Sequence, residues 1–284
     1  MTANRNAVLV PAAPSIVIPV SRDTLRQALA ECWRSRRLLY VLVWRDLKAR
    51  YKQTLLGAAW AVLQPFLAMV VFTIVFTRFA KVPSAGVPYP VFVFCGLLPW
   101  QFFAQGLTRA GGSLVENRLL LTRLHFPRLL LPASAVLIGL PDFAASFAVL
   151  LAIMAYYGFA PGIAALCMIP LLLLTAATAL GLGLLLAALN VRYRDVAYTV
   201  PFFTQLWFFL TPVVYPSGLV PDRWRTLFAL NPMVFVVDGV RWALLGGSAM
   251  PGTSIVYSLL GVSAWLMVGL HYFHANEADF ADIV

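Results

Sequence analysis

From Ala58 onward the chain alternates long apolar runs with short polar links. A helix needs about 20 mainly apolar residues to cross the hydrocarbon of a bilayer. Six segments meet or approach that length: Ala58–Thr77, Pro90–Leu114, Leu130–Tyr157, Gly162–Leu189, Val196–Tyr215 and Thr253–Tyr272. They predict an all-α integral membrane protein with six transmembrane helices in a single domain spanning residues 38–284. Between Leu171 and Leu189 the only polar side chains are two threonines, whose hydroxyls can bond back to their own helix. The second segment carries Pro99, Gln101 and Gln105, and the third carries Pro141 and Asp142. Kinks or inward-facing polar positions are predicted there. Residues 1–37 read as a cytoplasmic tail, because Pro11, Pro14 and Pro19 interrupt an apolar stretch that could otherwise pass for a secretory signal.

Composition strengthens this reading. The chain is 61% hydrophobic and 11% charged, against roughly half and about a quarter in soluble domains, so one soluble core could not be clothed in polar surface. The net charge of +10 raises the question of nucleic acid. Such binding needs a basic face on a water-soluble module, whereas the cations here sit between apolar runs, and no nucleic-acid partner is predicted. Of the 21 Lys and Arg, sixteen fall on the side of the N-terminus and five opposite, with Arg109 counted in the second link and Arg241 in the fifth. Cytoplasmic flanks collect such residues, which places both termini in the cytoplasm. Three widely spaced cysteines form no disulfide framework and no metal motif. His271 and His274, near Glu277, read as packing at a helix end and not as a metal site.

Four features stand out from the spans. Leu38–Lys52 places Trp44, Leu47 and Tyr51 at i, i+3, i+7 beside Arg45, Lys48 and Lys52, which suits an amphipathic helix in the headgroup plane, either as an anchor or as a platform for a partner. The link 116–129 sets leucines between arginines and is stopped by Pro127, so it is either a plain loop or a short helix that docks into a partner's groove. Tyr215–Leu245 is too proline-broken to span and too apolar to hang in water, which predicts two short re-entrant helices acting as a gate or a cap. Aromatics gather at Trp60 and Phe66, and at Phe202, Phe203, Trp207, Phe208 and Tyr215. They suit lipid-interface belts, packing, or stacking on sugar rings. No GxxxxGK[ST] phosphate loop occurs, so the chain cannot harness ATP through that motif.

Four blocks together carry a family resemblance: RDLKARYKQTLLGAAWAVLQP at Arg45–Pro65, NRLLLTRLHFPRLLLP in the second link, LNVRYRDV before the fifth helix and LNPMVFVVDGVRWALL before the sixth. In content and order they resemble the permeases of ATP-binding-cassette polysaccharide exporters, which move O-antigen, capsule-type and teichoic-acid chains across the bacterial inner membrane. The resemblance implies a homodimer with two copies of a separate ATPase subunit, so that ATP and Mg belong to the partner and this chain needs no cofactor. It implies coupling contacts at Arg118, Leu121, Arg123 and Phe126, and channel aromatics at Trp60, Phe203, Trp207 and Tyr215. It also implies an outer gate over residues 216–245 that includes Pro216, Pro221, Trp224 and Pro232. The cations Arg45, Lys48, Arg50 and Lys52 are expected near the inner headgroups, where a carrier diphosphate or anionic lipid would be attracted by about 1 kcal/mol per cation. Two other readings remain open: export of a small lipophilic compound by the same type of permease, and an intramembrane lipid-sugar transferase that would depend on Asp142.

Overall fold

The computed structural model describes residues 30–52 apart from Cys32, residues 59–79, 86–123, 126–246 and 252–277, and Phe280. Of the expected tail over 1–37, residues 1–29 and Cys32 lie outside these residues, and the remainder is largely helical. Among the described residues all regular structure is helical. The elements are α1 (Arg36–Lys52), α2 (Ala59–Ile74, prolonged by a wide turn over Val75–Phe79), α3 (Tyr89–Glu116), α4 (Arg118–Arg123), α5 (Leu130–Leu137), α6 (Leu140–Tyr156), α7 (Met168–Arg192, led in by a tight turn over Ile163–Cys167), α8 (Val196–Phe209), α9 (Asp222–Ala229), α10 (Pro232–Leu245) and α11 (Gly252–Asn276).

The helix α3 is the spine of the bundle. Its apolar stretch is 78% buried within the protein, against 11% for α2, and it touches α2, α5, α6, α7, α8 and α10. Among the described residues, five spans are long and apolar enough to cross a membrane: α2, α3, α5 with α6, α7 and α11. The third is broken at Ile138 and Gly139. Pro141 lacks an amide hydrogen and is tolerated only in the first turn of a helix, so α6 has to start afresh at Leu140. On the far side of the bundle α7 and α11 meet backbone to backbone. A methyl group on Gly269 would lie 1.9 Å from the Gly181 carbonyl oxygen, so only hydrogen fits, a device that lets helices associate closely where lipid offers no hydrophobic driving force.

The fifth span departs from expectation. In place of a helix over 196–215, α8 ends at Phe209 after 14 residues, about 21 Å at 1.5 Å per residue and short of a roughly 30 Å core. Residues 210–215 follow as an irregular turn, and Thr211, Pro212, Val213 and Val214 are buried. Two short helices succeed it, as the proline-broken segment predicts: α9 and α10 bend by 99° at their junction. The first lies exposed on the surface, and the second is sunk between α3, α7 and α11. Asn231 caps α10 by accepting a hydrogen bond from the Met233 amide at 3.0 Å, and Pro232 at the first helical position needs no donor.

One buried cluster fixes which ends belong together. Leu42 of α1, Leu114 of α3, Leu121 of α4, Leu130 of α5, Val191 of α7 and Phe273 of α11 pack as one group. The surface helix, the second link and the end of the last span therefore share one end of the bundle, as an even number of crossings requires. Arg118, Arg128, Arg192 and Arg194 lie in the segments gathered there, and this is called the basic end below.

Candidate functional site

Three polar assemblies interrupt the apolar bundle. The first is a groove between α2, α3 and α8 enclosing about 480 Å³. Its α3 wall presents Gln101, Gln105 and Arg109, four residues apart and therefore on one stripe of the helix. Gln64 of α2 and Gln205 of α8 face them, with Trp100, Phe72 and Phe208 between. The stripe is wired in one direction: Arg109 Nη2 donates to Gln105 Oε1 at 2.7 Å, and Gln105 Nε2 donates to Gln101 Oε1 at 3.3 Å. Aromatic contacts hold α8 in place, with Phe208 stacked on Phe72 at 5.7 Å and edge-on to Trp100 at 5.6 Å. Outside the groove, Phe202, Phe203, Leu206 and Phe209 on α8 and Phe66, Leu67 and Val71 on α2 are left exposed.

The second assembly lies at the basic end, centred on Asp142 in the first turn of α6. Arg50 Nη1 of α1 meets Asp142 Oδ2 at 2.5 Å, and the Tyr51 hydroxyl donates to Asp142 Oδ1. Arg109 Nη2 approaches the same Oδ2 from α3 at 3.6 Å. Burial, reinforced by the Asp142 carboxylate, pushes the Tyr51 phenol up to about 12, so it remains a donor throughout the physiological range. Beside this lies a polar cavity of about 320 Å³ whose cations Arg50 and Arg109 are set against Asp46 and Glu116. Charge there balances and offers no net attraction to a diphosphate.

The third assembly is at the opposite end, around Arg241 of α10. Its Nη1 donates to the Pro212 carbonyl at 2.6 Å and its Nη2 to the Val213 carbonyl at 2.6 Å, with longer contacts to the carbonyls of Tyr215 and Phe92. The guanidinium also lies 3.6 Å from the Phe92 ring centroid and 3.6 Å from Asp238. Asn231 Nδ2 reaches the Leu210 carbonyl at 3.3 Å, and the Tyr89 hydroxyl reaches that of Val214 at 2.7 Å. Irregular backbone at membrane depth must find partners inside the protein. Here the carbonyls of 210, 212, 213, 214 and 215 all find them in three side chains.

These geometries sort the sequence-derived candidates. On α1, Trp44 does not face the protein: it is exposed, stacked with Tyr40 at 6.4 Å and covered by Lys48 at 5.3 Å, while Leu38, Leu39 and Leu42 form the buried stripe. Lys52 is exposed. Arg45 and Arg50 both pair within the protein, the former with Asp46 at 2.5 Å and Asn117 at 2.8 Å and the latter with Asp142. In the link, Arg118 is exposed and Phe126 is half-buried. Leu121 is turned into the buried cluster and cannot serve as a surface contact; Leu119, 63% exposed, occupies the outward position. The Arg123 side chain lies outside the described residues.

Of the four channel aromatics, Trp60 and Phe203 are exposed. Trp207 packs edge-on against Phe103 at 5.2 Å, and the Tyr215 hydroxyl donates to the Phe209 carbonyl at 2.9 Å. None of the four lines the groove, where Phe72, Trp100 and Phe208 stand instead. In the outer segment Pro216 precedes a short turn, Pro221 and Trp224 are exposed at and on α9, and Pro232 is buried. Arg109 is no link residue but lies within α3, and Arg241, counted as a loop cation, is 7% exposed. Both were detectable as arginines inside apolar helical patterns, which are rare without a partner. His274 pairs with Glu277 at 3.2 Å, as end-of-helix packing predicts.

Residues 37–245 match the ABC-2 type transporter family. This chain belongs to that family. The O-antigen export system permease protein RfbA of Myxococcus xanthus is 33% identical to this ABC-2 family member over 258 residues, covering 89% of the chain and 98% of that protein. A protein of the same name from Klebsiella pneumoniae is 28% identical over 248 residues, covering 87% and 95%. The polysialic acid transport protein KpsM of Escherichia coli is 21% identical over 237 residues, covering 82% and 91%. The matched family region begins in α1 and ends at the last residue of α10, so it takes in all three assemblies.

Proposed function

We propose that this ABC-2 family protein is the permease subunit of an exporter of lipid-linked polysaccharide of the O-antigen kind, moving it across the bacterial inner membrane. The observation that carries this reading is the groove between α2, α3 and α8. A glycan needs hydrogen-bond donors and acceptors for its hydroxyls and flat apolar faces for its C–H surfaces. Glutamine amides supply both polar roles, and Phe72, Trp100 and Phe208 supply the faces. The names of the relatives, two O-antigen permeases and a polysialic acid transport protein, point to the same cargo.

The remaining parts of the proposal are these. The apolar faces of α2 and α8 flank it, and a second copy of the chain packed on them closes the open side into a channel. The basic end faces the cytoplasm, which brings both termini there, and α1 rests at the inner headgroups with Tyr40, Trp44 and Lys48 turned to lipid. ATP and Mg bind two copies of a separate ATPase subunit, which grips the link at Arg118, Leu119 and Arg123. At the outer end α9 and α10, including Trp224, form the gate. Export of a small lipophilic compound fits less well, because such cargo has no use for four amides at membrane depth. A transferase reading fares worse, since Asp142 is held by Arg50 and Tyr51 and is not free to act as a base.

The test is a deletion strain complemented with wild-type or Gln101→Leu/Gln105→Leu/Gln205→Leu protein. Wild type restores long-chain surface polysaccharide; the triple variant inserts but leaves lipid-linked glycan inside. Unchanged surface polysaccharide in the deletion strain itself would sink the reading.

A further inference from the structure

The groove and the basic end are joined by one side chain. Arg109 lines both the groove and the polar cavity beside α1. Its Nη2 is shared, 2.7 Å from Gln105 and 3.6 Å from Asp142, and its buried Nη1 has no hydrogen-bond partner among the described residues. Asp142 is in turn contested: Arg50 of α1 holds Oδ2 at 2.5 Å, where Arg109 stands off at 3.6 Å. We propose that Arg109 is a positioning residue that links the docking of α1 to the polar wall of the groove, with Asp142 as the shared counter-ion.

With α1 docked, Arg50 and Tyr51 occupy the two oxygens of Asp142. Arg109 then spends its hydrogen bond on Gln105, which fixes the direction of the Gln105 and Gln101 amides. When α1 lifts, it carries Arg50 and Tyr51 away together, because they are adjacent residues. A carboxylate with an 8% exposed side chain cannot be left unpaired. Arg109 is the cation within reach and closes onto Asp142, releasing Gln105 to turn its amide into the groove. The link that begins α4 shares this lever, since Arg45 of α1 bonds Asn117 at 2.8 Å. A push on the link therefore reaches the groove through side chains without shifting the axis of α3. Two states of one guanidinium give the discrete alternative that such coupling needs.

This inference rests on the groove being the cargo path, but its test needs no cargo. Ala104 lines the groove one residue from Gln105 and takes no part in the relay. In the full complex with its ATPase, with the native cysteines replaced, Ala104→Cys is labelled with a water-soluble maleimide. Arg50→Met is expected to raise the labelling rate severalfold, and Arg50→Lys, which keeps the ion pair, to return it close to wild type. Arg37→Met removes the same charge from an exposed position on the same helix that takes no part in the relay and is expected to leave the rate unchanged. Tyr51→Phe, which keeps the Arg50 pair, gives a smaller rise and serves if Arg50→Met does not assemble. Equal rates in all variants, or equal acceleration by Arg37→Met and Arg50→Met, would overturn the relay. Unchanged polysaccharide export with this labelling pattern present would count against the cargo reading alone.

Discussion

Two arginines anchor polar networks at opposite ends of the bundle, Arg241 buried and Arg109 half-buried, and they are satisfied to different degrees. Arg241 has its hydrogen-bonding nitrogens committed to the backbone of 212–215 and Phe92, an aromatic face beneath it and Asp238 beside it. Arg109 divides one nitrogen between Gln105 and a carboxylate that another arginine already occupies, and its second terminal nitrogen has no partner among the described residues. The first arrangement has one low-energy state. The second leaves Arg109 between two acceptors, Gln105 at 2.7 Å and Asp142 at 3.6 Å. A saturated network rigidifies, whereas a partly satisfied one is where a structure can change, so Arg241 pins the outer turn to α10, which leaves the exposed α9 as the movable part of the proposed gate, and the proposed relay enters at the basic end.

The largest effect is expected from removing the fixed pin. Arg241→Met strands the carbonyls of Pro212 and Val213 in an apolar setting, at ~1–3 kcal/mol for each unsatisfied group. Folded protein recovered in mild detergent should fall to a small fraction of wild type, measured by size-exclusion profile and thermal unfolding. Recovery and melting behaviour like wild type would mean the turn does not depend on Arg241. Asp142→Ala comes next. It leaves two cations facing each other, and breaking a buried pair costs about 3–5 kcal/mol, reduced here because Arg50 is one-third exposed and can rehydrate. A clear loss of melting temperature is expected, partly restored in Asp142→Ala/Arg50→Met; additive losses would argue against a shared carboxylate.

Smaller effects sharpen the contrast. Tyr51→Phe removes one hydrogen bond and should cost about 1 kcal/mol while the fold stays intact. Arg118→Ala, on the exposed face of the link, should leave melting unchanged and lower the glycan exported per ATP hydrolysed by the complex. An unchanged ratio would remove Arg118 from the coupling surface. Phe203→Ala and Trp207→Ala should differ: the first, exposed, should alter export or dimer formation without destabilising, and the second should destabilise through lost packing on Phe103.

What could be read in advance depended on how local the cause was. Span lengths, the break at Pro141 and the bent pair after Pro221 and Pro232 follow from hydropathy and proline chemistry within a few residues. The early end of α8 does not, because the donors that make an irregular turn affordable at that depth come from Tyr89, Asn231 and Arg241 on other elements. Likewise Arg45 and Lys48 belong to one basic stretch, yet one points to Asn117 and the other lies over Trp44. Helix-face geometry relative to partners distant in sequence decides that. The groove was half legible: Gln101 and Gln105 stood out in an apolar span, but Gln64 and Gln205 joined them only when α2 and α8 folded onto α3.

The central claim is that polysaccharide passes along this amide-lined groove. It is tested most directly by reconstituting the complex with its ATPase in proteoliposomes and following the lipid-linked glycan to the far side. The account predicts ATP-dependent transfer by wild type, and by the Gln101→Leu/Gln105→Leu/Gln205→Leu variant ATP hydrolysis with little transfer. Transfer by that variant at the wild-type rate would contradict it.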